Sequence, residues 1–235
     1  MRYLSSSSPP TSVATIGTAC FILMRMKVLG IESVEETVAL PELTLSILRP
    51  RDSEALLDEE AFEHEEYLPY WAELWPSALA LSRVVAERRL EGARVVELGC
   101  GLGVPSIVAA LGGARVLATD WSPDALVFTA LNADRNGAAV ETLLCAWSEA
   151  ERLVARGPWD LVLASDVLYE RRNVEIMLEL LPRLVDDTGE ILLTDPGRPA
   201  AAAFADAVGA EWSVATSADR ISARVTAYRL RMRPE

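Results

Sequence analysis

VVELGCGLGVPS, Val95 to Ser106, sets glycines at 99, 101 and 103 directly after an apolar run. An apolar strand that ends in such a turn and continues into a helix can bring free backbone N–H groups close to a ligand. Glycine makes this possible because it has no side chain and accepts positive φ. Pro105 falls where the first turn of a helix tolerates proline. The dinucleotide fingerprint G-x-G-x-x-G would want its third glycine at 104, but Val104 stands there and the pattern reads E-x-G-x-G-x-G. A turn of purely structural purpose would look similar, so its surroundings have to decide.

Outward from this turn, short apolar strands alternate with helical segments. Strands are expected at 93–98, 114–119, 140–145, 159–165 and 189–194, and helices at 104–111, 123–136, 147–155, 171–184 and 199–208. Ser122 and Pro123 supply a cap and a first-turn proline, and Asn136-Gly137 a stop. In the helix at 171–184, Val174, Met177, Leu178 and Leu181 recur at helical spacing and read as core. Strands of this kind predict an α/β, Rossmann-like, mostly parallel sheet covered by helices on both faces. The chain then departs from alternation. Residues 211–217 and 223–232 are two strands with no helix between them, a C-terminal β-hairpin that makes seven strands. No residues remain for the second half and substrate domain of a dinucleotide dehydrogenase.

Residues 91–235 therefore form the main domain. Residues 32–90 are expected to be an N-terminal extension, with one or two short strands in ETVALPELTLSIL (36–48) and a helix from Pro76 to about Arg89. Residues 1–31 contain no acid and are set aside as a leader, either disordered or an artefact of an upstream start, with Met24 or Met26 the true beginning. The apolar run from Val13 to Met24 is too short to span a bilayer.

The net charge of −13, from 35 acids against 22 bases, argues against a nucleic-acid partner, which would need a basic face. It suits a cationic partner, and the acidic stretch from Asp52 to Glu66 is a candidate for attracting one, although a solvated helix reads the same way. Cys20, Cys100 and Cys145 have neither zinc-type spacing nor an even count, so a reducing compartment is expected. His64, the single histidine, lies in an acidic run and reads as solvated surface.

Asp120 ends the second strand of the alternating series, 19 residues beyond Gly101, where a carboxylate can accept hydrogen bonds from both hydroxyls of a ribose. Trp147 follows the third strand, placed either to pack on an adenine or to fill the core. The turn carries no lysine or arginine, as a phosphate-rich ligand would ask. An adenosine cofactor without phosphate fits better, which points to S-adenosylmethionine.

From about Tyr67 to Pro199 the chain resembles the class I, seven-stranded methyltransferases. Within them it resembles the branch of protein-lysine and nicotinamide N-methyltransferase-like enzymes, nearest to the electron transfer flavoprotein β-subunit lysine methyltransferases. PYWAELWPS, VVELGCGLG, Asp120, Trp147, ASDVLYE and TDPGRP carry that resemblance. It implies cofactor contacts at Trp75, Gly99, Cys100, Gly101, Asp120, Trp147 and Ser165, with Glu97 shaping the methionine end. Asp166 and Tyr169 match the D-x-x-Y motif beside the methyl donor. The DPGRP turn either shapes the acceptor side or is a rigid connection.

The resemblance further implies transfer of a methyl group to a lysine of a protein, possibilities being led by the electron transfer flavoprotein β-subunit, with no metal. A cytoplasmic monomer is expected, without nucleic-acid or membrane partners, and the mitochondrial matrix stays open if residues 1–31 are a genuine leader. Three alternatives remain: an N-methyltransferase of a small amine, an NAD-binding oxidoreductase, and an idle scaffold.

Overall fold

The computed structural model describes residues 26–57 and 69–233. Cys20, His64, Tyr67 and most of the acidic stretch lie outside the described residues. Three strands come first: β1 (Met26–Val28), β2 (Ile31–Leu40) and β3 (Leu43–Pro50). They form an antiparallel sheet in the order β1-β2-β3. Leu29 and Gly30, with φ of +53° and +83°, make the two-residue turn between β1 and β2, the geometry that matches strand twist. Residues from 26 onward, set aside with the leader, thus belong to this sheet. The one or two short strands expected within 36–48 are two, β2 and β3, and both extend beyond that stretch.

Helix α1 (Pro76–Ala86) leads into the main sheet. There follow β4 (Arg94–Leu98), α2 (Val104–Leu111), β5 (Arg115–Asp120), α3 (Pro123–Arg135) and β6 (Val140–Leu144). The second half comprises α4 (Glu151–Val154), β7 (Leu161–Ser165), α5 (Arg171–Leu184), β8 (Glu190–Asp195), α6 (Pro199–Val208), β9 (Trp212–Ala218) and β10 (Thr226–Met232). The helix expected at 147–155 is divided into a 3-10 turn, Trp147–Glu149, and the short α4.

The seven strands run β6-β5-β4-β7-β8-β10-β9. Strands β4 to β8 are parallel, and β10 inserts antiparallel between β8 and β9. Strand order reverses between β4 and β7, so the chain leaves those two strands in opposite directions and opens a crevice at their C-terminal ends. Apolar side chains cover both faces. On one, Val96, Leu98, Val162 and Leu193 meet Met177, Leu181 and Phe204 of α5 and α6. On the other, Val95 and Leu163 meet Leu81, Ile107 and Phe128 of α1 to α3, and Leu45 and Ile47 of β3 join this same cluster.

Two asparagines dock the small sheet. Asn132 on α3 and Asn136 at its C-terminal cap, one turn apart, face the outer edge of β3. Asn136 accepts from Ser46 N (2.9 Å) and donates to Ser46 O (2.9 Å). Asn132 accepts from Leu48 N (2.7 Å) and donates to Leu48 O (3.0 Å) and to Leu102 O of the glycine turn (3.1 Å). Residues 46 and 48 turn their N–H and C=O groups to the same edge, so two side-chain amides satisfy what would be an open strand edge. Asn132 is fully buried. Asn132→Ala should leave three buried backbone groups unpaired and cost about 3 kcal/mol, lowering the melting temperature by roughly 6–12 °C in calorimetry. An unchanged melting point would remove this amide from the account of how the sheet is held.

Candidate active site

The glycine turn occupies the crevice. Gly99, Gly101 and Gly103 have φ of +68°, +53° and +80°. A Cβ on Gly99 would lie 2.9 Å from Cζ2 of Trp147, and one on Gly101 would lie 3.2 Å from the carbonyl oxygen of Trp71. Bare backbone is therefore required for the turn to lie between these aromatic neighbours. The turn is fixed from behind: the Thr129 hydroxyl donates to Gly101 O (2.8 Å) and Cys100 N donates to Thr119 O (2.9 Å). Burial, with help from the charges of Asp120 and Glu97, pushes the Cys100 thiol well above its ordinary range. It is no nucleophile.

Asp120 stands at the end of β5, almost fully buried, and lines the cavity. Its Oδ2 accepts from Gly101 N and its Oδ1 from Ser122 N, both at 3.0 Å. Each oxygen keeps acceptor capacity toward the cavity. Burial raises its pKa from 3.8 to about 6 against those backbone donors. Glu97, on β4, behaves differently. Oε2 takes Ser106 N (2.9 Å) and Ser106 Oγ (2.5 Å), Oε1 has no partner among the described residues, and burial raises the pKa from 4.5 to about 8. The carboxyl lies behind the turn, holding the start of α2, and does not line the cavity. Glu97 thus bears on the cavity from behind, through Ser106 at the start of α2.

The other nine expected site residues do line one cavity of about 250 Å³: Trp75, Gly99, Cys100, Gly101, Asp120, Trp147, Ser165, Asp166 and Tyr169. At its far end β7 stops at Ser165 and the backbone reverses through Asp166, whose φ of +57° is unusual for a residue with a side chain. Asp166 N donates to Thr194 O (2.8 Å), which pins the reversal to β8. Tyr169 follows, its hydroxyl pKa raised by burial and eased by the Asn173 amide. Its ring lies 5.5 Å from that of Tyr70, which sits on the 3-10 turn Tyr70–Ala72. Trp75 Nε1 donates to Tyr70 O (2.7 Å), so the two aromatic segments at the rim are tied together.

Tyr70 and Arg198 also line the cavity, and neither was singled out in the sequence. Tyr70 lay in the quoted aromatic cluster, and Arg198 in the quoted DPGRP turn, but nothing in spacing said that Tyr70 would meet Tyr169 or that Arg198 would meet Asp166. Arg198 is the one cation among the described lining residues, and its Nε donates to Asp166 Oδ1 at 2.8 Å. With that guanidinium engaged, the described lining leaves no unpaired cation for a pyrophosphate, whereas Asp120 and a bare glycine turn fit an adenosine whose ribose is the polar anchor.

Known proteins resemble this chain in sequence and in fold. A family model described as lysine methyltransferase matches residues 63–204. The electron transfer flavoprotein beta subunit lysine methyltransferase of Xenopus laevis is 31% identical over 203 residues, covering 84% of this chain and 80% of that protein. The protein N-lysine methyltransferase METTL21A of Danio rerio is 35% identical over 130 residues, 52% of this chain and 59% of that one. Among solved structures, the T. thermophilus 16S rRNA methyltransferase RsmC, in complex with AdoMet and guanosine, superposes with a TM-score of 0.63 over 86% of this chain and 51% of that one, at 14% identity. That last likeness concerns the fold alone.

Proposed function

The chain belongs to the lysine methyltransferase family, and from that premise we propose that S-adenosylmethionine is its methyl donor and that the cavity between Asp120 and Tyr169 is where transfer takes place. The enzyme is a protein-lysine methyltransferase. One observation carries the finer reading: a single cavity joins the glycine turn and Asp120 at one end to Asp166 and Tyr169 at the other.

When bound, the donor supplies an electrophilic methyl group on a sulfonium. Asp120 would hold the ribose hydroxyls, the bare backbone of Gly99 to Gly101 would let the cofactor lie close, and Trp147 and Trp75 wall the cavity. Transfer of this kind is an in-line displacement, so orientation supplies most of the protein's share. Asp166 accepts a hydrogen bond from the incoming amine and aims it. The Tyr169 and Tyr70 rings flank the amine's aliphatic stem and offer their faces to its cationic form. A free lysine has a pKa near 10.4, and a dry pocket beside a positive sulfonium lowers it, so the proton leaves before the methyl arrives.

The acceptor we propose is the electron transfer flavoprotein β-subunit, on the strength of the relatives' printed activity. The exposed rim, with Tyr70 at 42%, supports a macromolecular acceptor over a small amine. The protein is read as a monomer working in the cytoplasm, or in the mitochondrial matrix if residues 1–31 are a genuine leader; three cysteines without disulfide or zinc spacing support a reducing compartment.

The test is incubation with tritiated methyl donor and purified β-subunit, beside a cell lysate, with label located by mass spectrometry. Label is expected on a protein lysine, and Asp166→Asn should reduce the rate about a hundredfold with donor binding intact. Label confined to small molecules would transfer the assignment to the small-amine class.

A further inference from the structure

Asp166 has two oxygens, and the described residues occupy only one. Oδ1 receives the Arg198 Nε at 2.8 Å; Oδ2 has no hydrogen-bond partner among the described residues. The Asp166 side chain is 10% exposed, while that of Arg198 is 37% exposed at the cavity rim. A surface ion pair with one long side chain in solvent usually contributes little, because ordering the arginine costs what the attraction returns. Here the ordering is built in. Gly197 N and Arg198 N both donate to Asp195 Oδ1, at 2.8 and 2.7 Å, so the arginine leaves a backbone that is already fixed. Asp195 is itself fully buried and paired in register with Thr226 of β10. The end of β8 thus holds both partners: Thr194 through the Asp166 backbone, Asp195 through the loop that carries Arg198.

We propose that Arg198 is a positioning residue for methyl transfer, its guanidinium fixing Asp166 through Oδ1 so that Oδ2 alone meets the acceptor amine, and offsetting the carboxylate's charge so that the amine can release its proton. The inference rests on the reading of Asp166 under the proposed function. An isolated carboxylate beside the acceptor would bind the ammonium well but raise its pKa, and so withhold the lone pair. A carboxylate already shared with a guanidinium keeps its directing hydrogen bond and loses much of that penalty. The amine loses its proton to water; its lone pair then forms the N–C bond as the S–C bond breaks, leaving a methylated ammonium and a neutral thioether. The planar fork of arginine suits the task, since Nε bonding fixes the guanidinium plane where an ammonium would only supply charge.

Other charged and titratable groups face this corner: Asp195 at the end of β8, Tyr169 and Glu170 after β7, Arg172 at the start of α5, Asp120 at the end of β5, and Tyr70 and Glu73 ahead of α1. The four acids among them cannot replace the cation, and Arg172 is paired with Glu170 at 2.6 Å. Removing Arg198 should therefore show itself as a pH effect on turnover, which a packing role would not give.

The experiment measures kcat and KM for the β-subunit from pH 6.5 to 9.5 with the full-length enzyme, Arg198→Lys, Arg198→Met, Asp166→Asn and the Arg198→Met/Asp166→Asn pair. Donor affinity is followed by calorimetry. Arg198→Met is expected to lose about thirtyfold in kcat at pH 7.5 with KM within threefold, and to recover most of that loss by pH 9.5. Arg198→Lys should fall between. In the Asp166→Asn background, Arg198→Met should change kcat less than twofold, and donor affinity should stay within threefold throughout. A loss independent of pH, or one equally large without Asp166, would overturn the proposal, as would full activity of Arg198→Met. Failure of the proposed function looks different: Asp166→Asn keeps full turnover, or the parent binds donor and labels no protein, and this inference then falls with it.

Discussion

Asp120→Ala should weaken binding of S-adenosylmethionine, or of its demethylated product, by two to four orders of magnitude in calorimetry. Two hydrogen bonds from ribose hydroxyls to a carboxylate are worth roughly 1.5–3 kcal/mol each, because the acceptor is charged and almost dry. The substitution also removes the acceptor for Gly101 N and Ser122 N, so the turn and the start of α3 loosen together. Asp120→Asn separates the two effects. It keeps the shape and one acceptor oxygen, but its amide must confront one of those two backbone donors. Its affinity should lie between parent and alanine. The parent itself should show the charge. With a pKa raised to about 6 in the free protein, Asp120 is ionised at pH 7 and mostly protonated at pH 5. Since the ionised form is the better acceptor, affinity should fall about tenfold over that interval. Affinity of Asp120→Ala within threefold of the parent would remove the ribose from this carboxylate.

The alternation of strands and helices, the terminal hairpin and the place of the glycine turn were all legible in the sequence, for one physical reason. Each depends on local pattern: apolar runs of strand length, Ser122-Pro123 and Asn136-Gly137 as helix boundaries, and a glycine turn that must sit at a strand end. The expected helices at 104–111, 171–184 and 199–208 match the observed ones to the residue. The failures are where the deciding contact is distant in sequence. β1 is three residues long and exists only through its pairing with β2. Asn132 looks like an ordinary helix residue until Leu48, 84 positions earlier, is laid beside it. Arg198 and Asp166 are 32 positions apart, and their meeting depends on how β7 and β8 end side by side. Glu97 shows the same limit: its position in the motif is visible, but the bonds of its carboxyl to Ser106 behind the turn depend on the packing of α2.

Glu97→Gln should stabilise the protein at high pH and change little at low pH. Glu97 is fully buried, its folded-state pKa is about 8 against 4.5 for a free glutamate, and desolvation is the largest cause. The folded protein therefore holds this proton more tightly than the unfolded chain does. That contribution to stability is fully present below pH 4.5, where both states are protonated. It is lost progressively as pH rises, and is gone once the pH passes 8 and the folded protein must carry a buried charge. A difference of this size amounts to about 5 kcal/mol at ~1.4 kcal/mol per factor of ten in proton affinity. Glutamine is neutral at every pH, and its carbonyl oxygen can still accept from Ser106 N and Oγ. The melting temperatures of parent and variant should then coincide near pH 4.5 and separate by roughly 10–20 °C at pH 8.5. Asp120 titrates with the same sign between 3.8 and about 6, but it does so in both proteins and largely cancels from the difference. Its charge is also one of the causes that raise Glu97. Adding Asp120→Asn to the parent should accordingly recover part of the stability lost at alkaline pH. Melting curves of parent and Glu97→Gln that run parallel from pH 5 to 9 would mean that Glu97 is ionised in the folded protein throughout.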